Sequence, residues 1–318
     1  TLREFLGLID GYAFLEQIVQ GEIRYELPMH TTSMLQSGGP VLEDDGERLA
    51  RLELELLGEP DTPALELQDR LEDQGIKILT AAPDAEHEEV HGFFLFDGRV
   101  GPAFGIDRVR EDRRVAFALA HLYGHLVMDV NPYRNRVCGW SRGLFGLDDS
   151  PEERRANRFA RSLLLPEAKL RVTLEQIAGA VRSGESSPGS SWYLLQEIYE
   201  VESGLLEQRF ADLGLTTLAQ QLRAAATPPP ETVPAPPWEG IVHGGFTLPQ
   251  RYLNLALACR HEEVMDDRML ARFLGVNVSE ARAFVRSSGL YGEAPPRPDH
   301  GRPQDDGDNG VEGQAGTH

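Results

Sequence analysis

Two histidines stand four positions apart in residues 117–129, a segment with helical periodicity. His121 and His125 would lie one turn apart on one face of a helix, so that both imidazoles could reach the same metal ion. Apolar side chains in and just before this segment also follow helical spacing and would bury one face of the helix: Val115, Leu119, Leu122 and Leu126. The alternative is a pair of hydrogen-bonded histidines on a buried helix that binds no metal.

A zinc site that keeps one position open for water needs a third protein ligand, and Glu153 is the candidate. It lies in a second predicted helix, which begins at the Ser-Pro pair of residues 150–151 and stops at Pro166. Ala156 and Ala160 share its face, and their small side chains would allow close approach to the histidine helix. Glu153 also follows the serine by three residues, which fits a capping box, so a role as helix cap stays open.

The residue after the first histidine departs from the H-E-x-x-H pattern of zinc peptidases. In that pattern the glutamate takes a proton from metal-bound water and delivers it to the leaving amine. Here the position holds Leu122, which can do neither. Zinc binding does not require this residue. A replacement base, either Glu152 or Asp129, stays open.

The two segments together resemble the ImmA/IrrE family of zinc metallopeptidase-like proteins. F-A-L-A-H-x-x-G-H-L followed by E-x-x-A-N-x-F-A-x-x-L-L-x-P is similar to the paired signature of that family. The resemblance implies that His121, His125 and Glu153 bind Zn²⁺ and that Leu122 occupies the general-base position. It covers most of residues 45–215.

The resemblance also implies a function, since family members cleave repressors that have a helix-turn-helix fold. We therefore expect a zinc-binding metallo-endopeptidase family protein that regulates transcription by acting on such a repressor. Its peptidase activity is expected to be weakened or lost because of Leu122. The alternative is a non-catalytic binding module that sequesters a repressor, or that contacts DNA through residues 267–286.

The expected fold class is α+β and mostly helical. A small β-sheet would pack on a zincin-like pair of metal-binding helices, and a small all-α unit would follow. The resemblance also implies a strand pair over residues 91–96 and 100–106, joined by the Asp-Gly turn at 97–98.

Composition excludes some classes of protein. No apolar run reaches the length of a membrane span and no signal-peptide pattern is found, so a cytoplasmic protein is expected. Cys138 and Cys259 are far apart and are expected to be free thiols. A net charge of −20 argues against a large sequence-independent nucleic-acid surface, and it suits a basic partner such as a DNA-binding protein.

The chain divides by composition into five parts. We predict a linker helix and loop over 1–40, an ImmA/IrrE-type domain over 41–226, and a Pro-rich spacer over 227–245. A helix-turn-helix-like unit over 246–292 and a disordered tail over 293–318 would follow.

Within the C-terminal unit, residues 267–286 read as two helices joined by a turn at Gly275, with Ser279 as the cap of the second helix. Arg282 and Arg286 would project from that second helix and are the candidate DNA-binding residues. Many small helical pairs share this pattern without touching DNA.

Overall fold

A computed structural model describes most of the chain. The described residues are 2–25, 43–58, 63–81, 92–106, 112–130, 136–141, 150–227 and 240–288. Most of the predicted Pro-rich spacer, the Ser/Gly-rich loop before residue 41 and the predicted disordered tail lie outside these residues. The predicted domain boundaries therefore stay a prediction.

Helices make up most of the described chain. They are α1 (Leu2–Gln20), α2 (Glu43–Leu56), α3 (Pro63–Asp73), α4 (Asp112–Asp129), α5 (Pro151–Leu164), α6 (Glu167–Ser183), α7 (Ser191–Tyr199), α8 (Ser203–Asp212), α9 (Thr216–Ala225), α10 (Gln250–His261), α11 (Asp267–Leu274) and α12 (Val278–Ser287), with a short 3₁₀ turn at Pro188–Ser190. None of these described helices combines the length and the apolar character needed to cross a membrane.

The strands form one small sheet. They are β1 (Lys77–Ala81), β2 (Gly92–Asp97), β3 (Gly101–Ile106), β4 (Arg136–Ser141), β5 (Val242–His243) and β6 (Phe246–Thr247), in the spatial order β4-β2-β3-β1-β6-β5. β2 and β3 are antiparallel, with Gly92 opposite Ile106 and Asp97 opposite Gly101, which confirms the predicted strand pair. β1 runs parallel to β3. The mostly helical α+β class is confirmed.

The sheet separates two apolar cores, because side chains alternate along its strands. Phe94 and Phe96 of β2 belong to the first core, which contains α4 and α5. Phe93 and Leu95 of the same strand belong to a second core, which α1, α10, α11 and α12 build on the other face. β6 lies antiparallel to β1, so the C-terminal unit, expected to be all-α, contributes a strand to the sheet.

The helices around α5 cross at short range because small residues lie at the crossings. Ala156 and Ala160 are fully buried, as expected for a close approach of α5 to α4. A Cβ on Gly124 of α4 would lie 3.0 Å from a ring carbon of Phe159. On the other side, a Cβ on Gly46 of α2 would lie 2.5 Å from the carbonyl oxygen of Arg155. α5 is therefore held between α4 and α2, which fixes the position of the side chains at its N-terminus.

A buried cluster of charges joins the N-terminal and C-terminal helices to the sheet. Glu16 of α1 and Lys77 of β1 are both fully buried, with 2.7 Å between Oε2 and Nζ. Arg251 of α10 lies 2.8 Å from the other carboxylate oxygen of Glu16. Burial lowers the pKa of Lys77, while Glu16 opposes this shift. Losing one partner of such a buried pair typically costs about 3–5 kcal/mol.

Glu72 of α3 gives the fold a pH dependence. Burial raises the pKa of Glu72 from 4.5 to about 7, although Gln68 donates a hydrogen bond of 3.0 Å to its carboxylate. Between pH 4.5 and about 7 the folded state therefore still holds a proton that the unfolded chain has already released. The free energy of unfolding should fall through this window as pH rises, by up to about 3 kcal/mol.

We expect Glu72→Gln to remove this fall. Measured by urea unfolding, the variant should match the wild type near pH 4.5 and exceed it at pH 8 by about 1–3 kcal/mol. Glu55→Gln, at an exposed glutamate of α2, should keep the wild-type profile. Parallel profiles for the wild type and Glu72→Gln would contradict this assignment.

Candidate metal centre

α4 places two imidazoles side by side. His121 is fully buried and His125 is 6% exposed. Their Nε2 atoms lie 3.0 Å apart, and the two rings meet edge to face at 4.7 Å between centroids. Of the predicted apolar stripe, Leu119, Leu122 and Leu126 are buried in the first core, and Val115 packs against it partly buried. The helix thus directs its apolar side into the core and its histidines toward α5.

α5 brings the third predicted residue to the same point. Oε2 of Glu153 lies 3.0 Å from Nε2 of His121, and Oε1 lies 3.4 Å from Nε2 of His125. Ser150 does cap the helix, because its hydroxyl accepts a hydrogen bond of 3.3 Å from the backbone N–H of Glu153. The serine satisfies the helix end, and the carboxylate of Glu153 faces the histidines.

Two further side chains fix the orientation of the imidazoles. Oδ1 of Asn157 lies 2.9 Å from Nδ1 of His121, and Oδ2 of Asp129 lies 2.6 Å from Nδ1 of His125. Both oxygens can only accept, so each Nδ1 carries the proton and each Nε2 presents its lone pair when the ring is neutral. Arg155 in turn forms an ion pair with Asp129.

The positions of the donor atoms fit a metal ion. Two Nε2 atoms and one carboxylate oxygen all lie within 4.8 Å of one another, which makes His121, His125 and Glu153 a group that could hold a cation. Two imidazole nitrogens and one carboxylate are a donor set that Zn²⁺ accepts. Hydrogen bonds from Nδ1 to Asp129 and Asn157 are the outer contacts that zinc-binding histidines usually have.

Without a cation the three groups compensate one another by protonation. Burial lowers the pKa of His121, and the nearby Glu153 opposes this shift. Burial would also lower the pKa of His125, but hydrogen bonds to Asp129 and Glu153 outweigh it and raise the pKa to about 9. Burial would raise the pKa of Glu153, but the two histidines hold it well below its usual range. The site therefore keeps an ionised carboxylate and favours a positive charge.

Leu122 lies in the first core. It is fully buried, and its two Cδ atoms lie 3.1 Å from where a Cβ on Gly92 of β2 would stand. The leucine thus fills the space above β2 that the missing side chain of Gly92 leaves. Of the two suggested replacement bases, Glu152 is exposed and Asp129 is occupied by His125 and Arg155.

Residues 71–210 match the family model Peptidase_M78, IrrE N-terminal-like domain. The matched region begins in α3, ends in α8, and includes the strands β1 to β4 with the whole candidate metal centre. It is less than half of the chain, and α1, α2, and everything from α9 onward lie outside it. The match supports the resemblance to the ImmA/IrrE family. Neither the curated proteins nor the solved structures gave a match.

The predicted helix pair at the C-terminus is present, with one correction. The N-cap of α12 is Asn277, not Ser279, because the Asn277 side chain accepts a hydrogen bond of 2.9 Å from the backbone N–H of Glu280 and the Glu280 carboxylate returns one of 3.0 Å. Arg282 pairs with Asp267 of α11 at 2.7 Å, so a phosphate would compete with this carboxylate. The neighbouring Arg286 is exposed, and its role in binding DNA stays a prediction.

The structure tests one of the two predicted free thiols. Cys259 is a buried free thiol. Cys138 lies in β4, and its side chain is outside the described part of the structure.

Two residues of the centre were not predicted from the sequence to hold the imidazoles in place. Asn157 follows Glu153 by four positions and Asp129 follows His125 by four, so each lies one turn along from a candidate ligand. That spacing is the signal that could have identified both as partners of the imidazoles. Arg155 has no comparable signal, because its ion pair with Asp129 joins two helices.

Asp129→Asn is expected to weaken zinc binding about 10–100-fold, because loss of an outer carboxylate typically has this effect on a histidine-bound metal. The dissociation constant can be measured by competition with a fluorescent zinc chelator. Asp69→Asn, at an exposed aspartate of α3, is the matched control and should bind zinc as the wild type does. Equal affinities of wild type and Asp129→Asn would show that Asp129 does not support the site.

Proposed function

We propose that this chain is a zinc-binding protein of the ImmA/IrrE type that regulates transcription by acting on a helix-turn-helix repressor. Its peptidase activity is weakened or lost because Leu122 replaces the general base. The observation that carries the proposal is the convergence of His121, His125 and Glu153 beside a buried leucine.

Metal binding is supported by the convergence of three groups that can ligate a metal ion. Two imidazole Nε2 atoms and a carboxylate converge within 3.0–3.4 Å, and a bound cation would replace the positive charge that protonation of His125 otherwise supplies there. Zinc at such a site lowers the pKa of bound water and polarises a carbonyl group. His121, His125 and Glu153 would hold it, while Asn157 and Asp129 hold the two rings in place.

Loss of the base is supported by chemistry and by packing. A hydrocarbon side chain cannot accept or deliver a proton, and general acid–base catalysis typically contributes about 10²–10⁴-fold to a rate. Of the carboxylates at the centre, Glu153 faces the histidines and Asp129 holds His125 and Arg155. Neither is free to replace the missing glutamate.

The type of target follows from the resemblance and agrees with the charge of the chain. A net charge of −20 gives a field that attracts basic proteins, and DNA-binding repressors are basic on the surface that faces DNA. The acidic chain therefore suits such a partner better than it suits DNA itself.

Capture of partners from a native extract tests this function. The tagged full chain, with zinc or with chelator, should retain a helix-turn-helix repressor. The purified repressor should then be cleaved slowly or not at all when incubated with the zinc-loaded chain. Retention of no helix-turn-helix protein in either condition would contradict the proposed target.

The packing of Leu122 favours a second candidate, a non-catalytic binding module. The leucine fills the space above Gly92, so this position contributes to packing and not to proton transfer. If the repressor is bound but never cleaved, and if chelator does not change the amount bound, the result would favour sequestration. A DNA footprint that is lost in Arg282→Ala and Arg286→Ala would favour action on DNA through α11 and α12.

A further inference from the structure

A cavity of about 540 Å³ lies on the face of the sheet opposite the candidate metal centre. It opens between α1, the turn from β5 to β6, and α11. Its size falls within the range of pockets that bind small molecules, about 300–1,000 Å³. The match to the family model does not reach any of these elements.

Two glycines of α1 leave room for the cavity. A Cβ on Gly7 would meet nothing within 4 Å, and a Cβ on Gly11 would have only ordinary contacts, 3.5 Å from Phe273 and from the Tyr252 hydroxyl. A glycine inside a helix costs about 1 kcal/mol relative to alanine. Larger side chains at Gly7 would therefore favour the helix and fill the cavity.

Aromatic and apolar side chains form the walls. The rings of Phe14 and Phe273 are stacked with 5.8 Å between centroids, and Phe14 is 44% exposed. Met269 is 41% exposed beside them. The Tyr252 hydroxyl donates to the carbonyl oxygen of Phe273 at 3.0 Å, so this tyrosine contributes its ring to the wall. Such walls suit a flat apolar molecule.

The rim of the cavity carries a cationic side chain, Arg272. Arg272 is exposed, and within the described part of the chain its guanidinium has no ion-pair or hydrogen-bond partner. Glu4, on the opposite rim, has an interaction of its own. Nδ1 of His243 lies 3.0 Å from the Phe273 carbonyl oxygen, so it is also engaged. An unpaired guanidinium beside an aromatic wall suits a carboxylate attached to a planar ring.

We propose that this cavity binds a small aromatic carboxylate, with the ring against Phe14 and Phe273 and the carboxylate at Arg272. The proposal is independent of the metal centre, which lies on the other face of the sheet.

Titration calorimetry with β-naphthoate tests the site in the full-length chain. The wild type should bind with a dissociation constant on the order of 100 µM. Gly7→Leu should weaken binding about tenfold or more by filling the cavity while keeping the fold. Gly179→Leu is the matched control, because a Cβ on Gly179 of α6 also meets nothing within 4 Å, and it should bind as the wild type does.

The charge of the ligand tests the role of Arg272. Arg272→Gln should weaken β-naphthoate binding about threefold and leave the binding of neutral β-naphthamide unchanged. No binding by the wild type up to about 1 mM, or equal affinities of Gly7→Leu and Gly179→Leu, would overturn the site. Equal losses of naphthoate and naphthamide in Arg272→Gln would overturn the preference for a carboxylate.

Discussion

Leu122→Glu is expected to raise the rate of repressor cleavage by about 10²–10⁴-fold over the wild type. The substitution places a carboxylate at the position where the H-E-x-x-H pattern holds its proton acceptor, one residue after His121. Zinc content should stay unchanged, because Leu122 is not among the three candidate ligands. The measurement is the single-turnover rate of cleavage, with the captured repressor as substrate.

Leu122→Gln separates proton transfer from changes in packing. Glutamine has nearly the size of glutamate and is also polar, but it cannot act as a base at neutral pH. Both variants replace a fully buried leucine, so both should lose stability to a similar extent. If folded, zinc-loaded Leu122→Glu cleaves no faster than Leu122→Gln, the assignment of position 122 is wrong.

Removal of zinc is expected to have the second largest effect, on thermal stability. A ligand that binds only the folded chain, present at about 1,000 times its dissociation constant, stabilises the fold by about 4 kcal/mol. Differential scanning calorimetry should therefore show a higher melting temperature with zinc than with chelator. The physical reason is that only the folded chain brings the two buried imidazole nitrogens and the Glu153 carboxylate together around the cation.

Two neighbouring glutamates provide the matched variants for this measurement. Glu153→Gln removes the carboxylate that faces both histidines and should lose most of the zinc-dependent shift. Glu152→Gln changes the exposed carboxylate next to it and should keep the full shift. Equal shifts in the two variants would mean that zinc acts elsewhere on the chain.

Local patterns predicted the elements that hold the centre. The Ser-Pro start and the proline stop of α5, the i to i+4 spacing of His121 and His125, and the Asp-Gly turn between β2 and β3 each act within a few residues. The local structure that each pattern produces depends little on the rest of the chain, so the sequence alone was sufficient to predict these elements.

Long-range pairing was not predictable in the same way. The ion pair of Glu16 with Lys77 joins α1 to β1, and the pairing of Thr80 with Thr247 joins the C-terminal unit to the sheet. Neither has a local signature, because the partners are far apart in the sequence. The same holds for the ion pair of Arg155 with Asp129, which depends on how α5 crosses α4.

Zinc content per chain tests the central claim most directly. The full-length protein, purified without chelator and dialysed against zinc, should hold about one zinc ion per chain when measured by atomic emission. His125→Ala, treated identically, should hold almost none, since it removes one of the three ligands. No zinc in the wild type, or the same amount in His125→Ala, would contradict the metal centre.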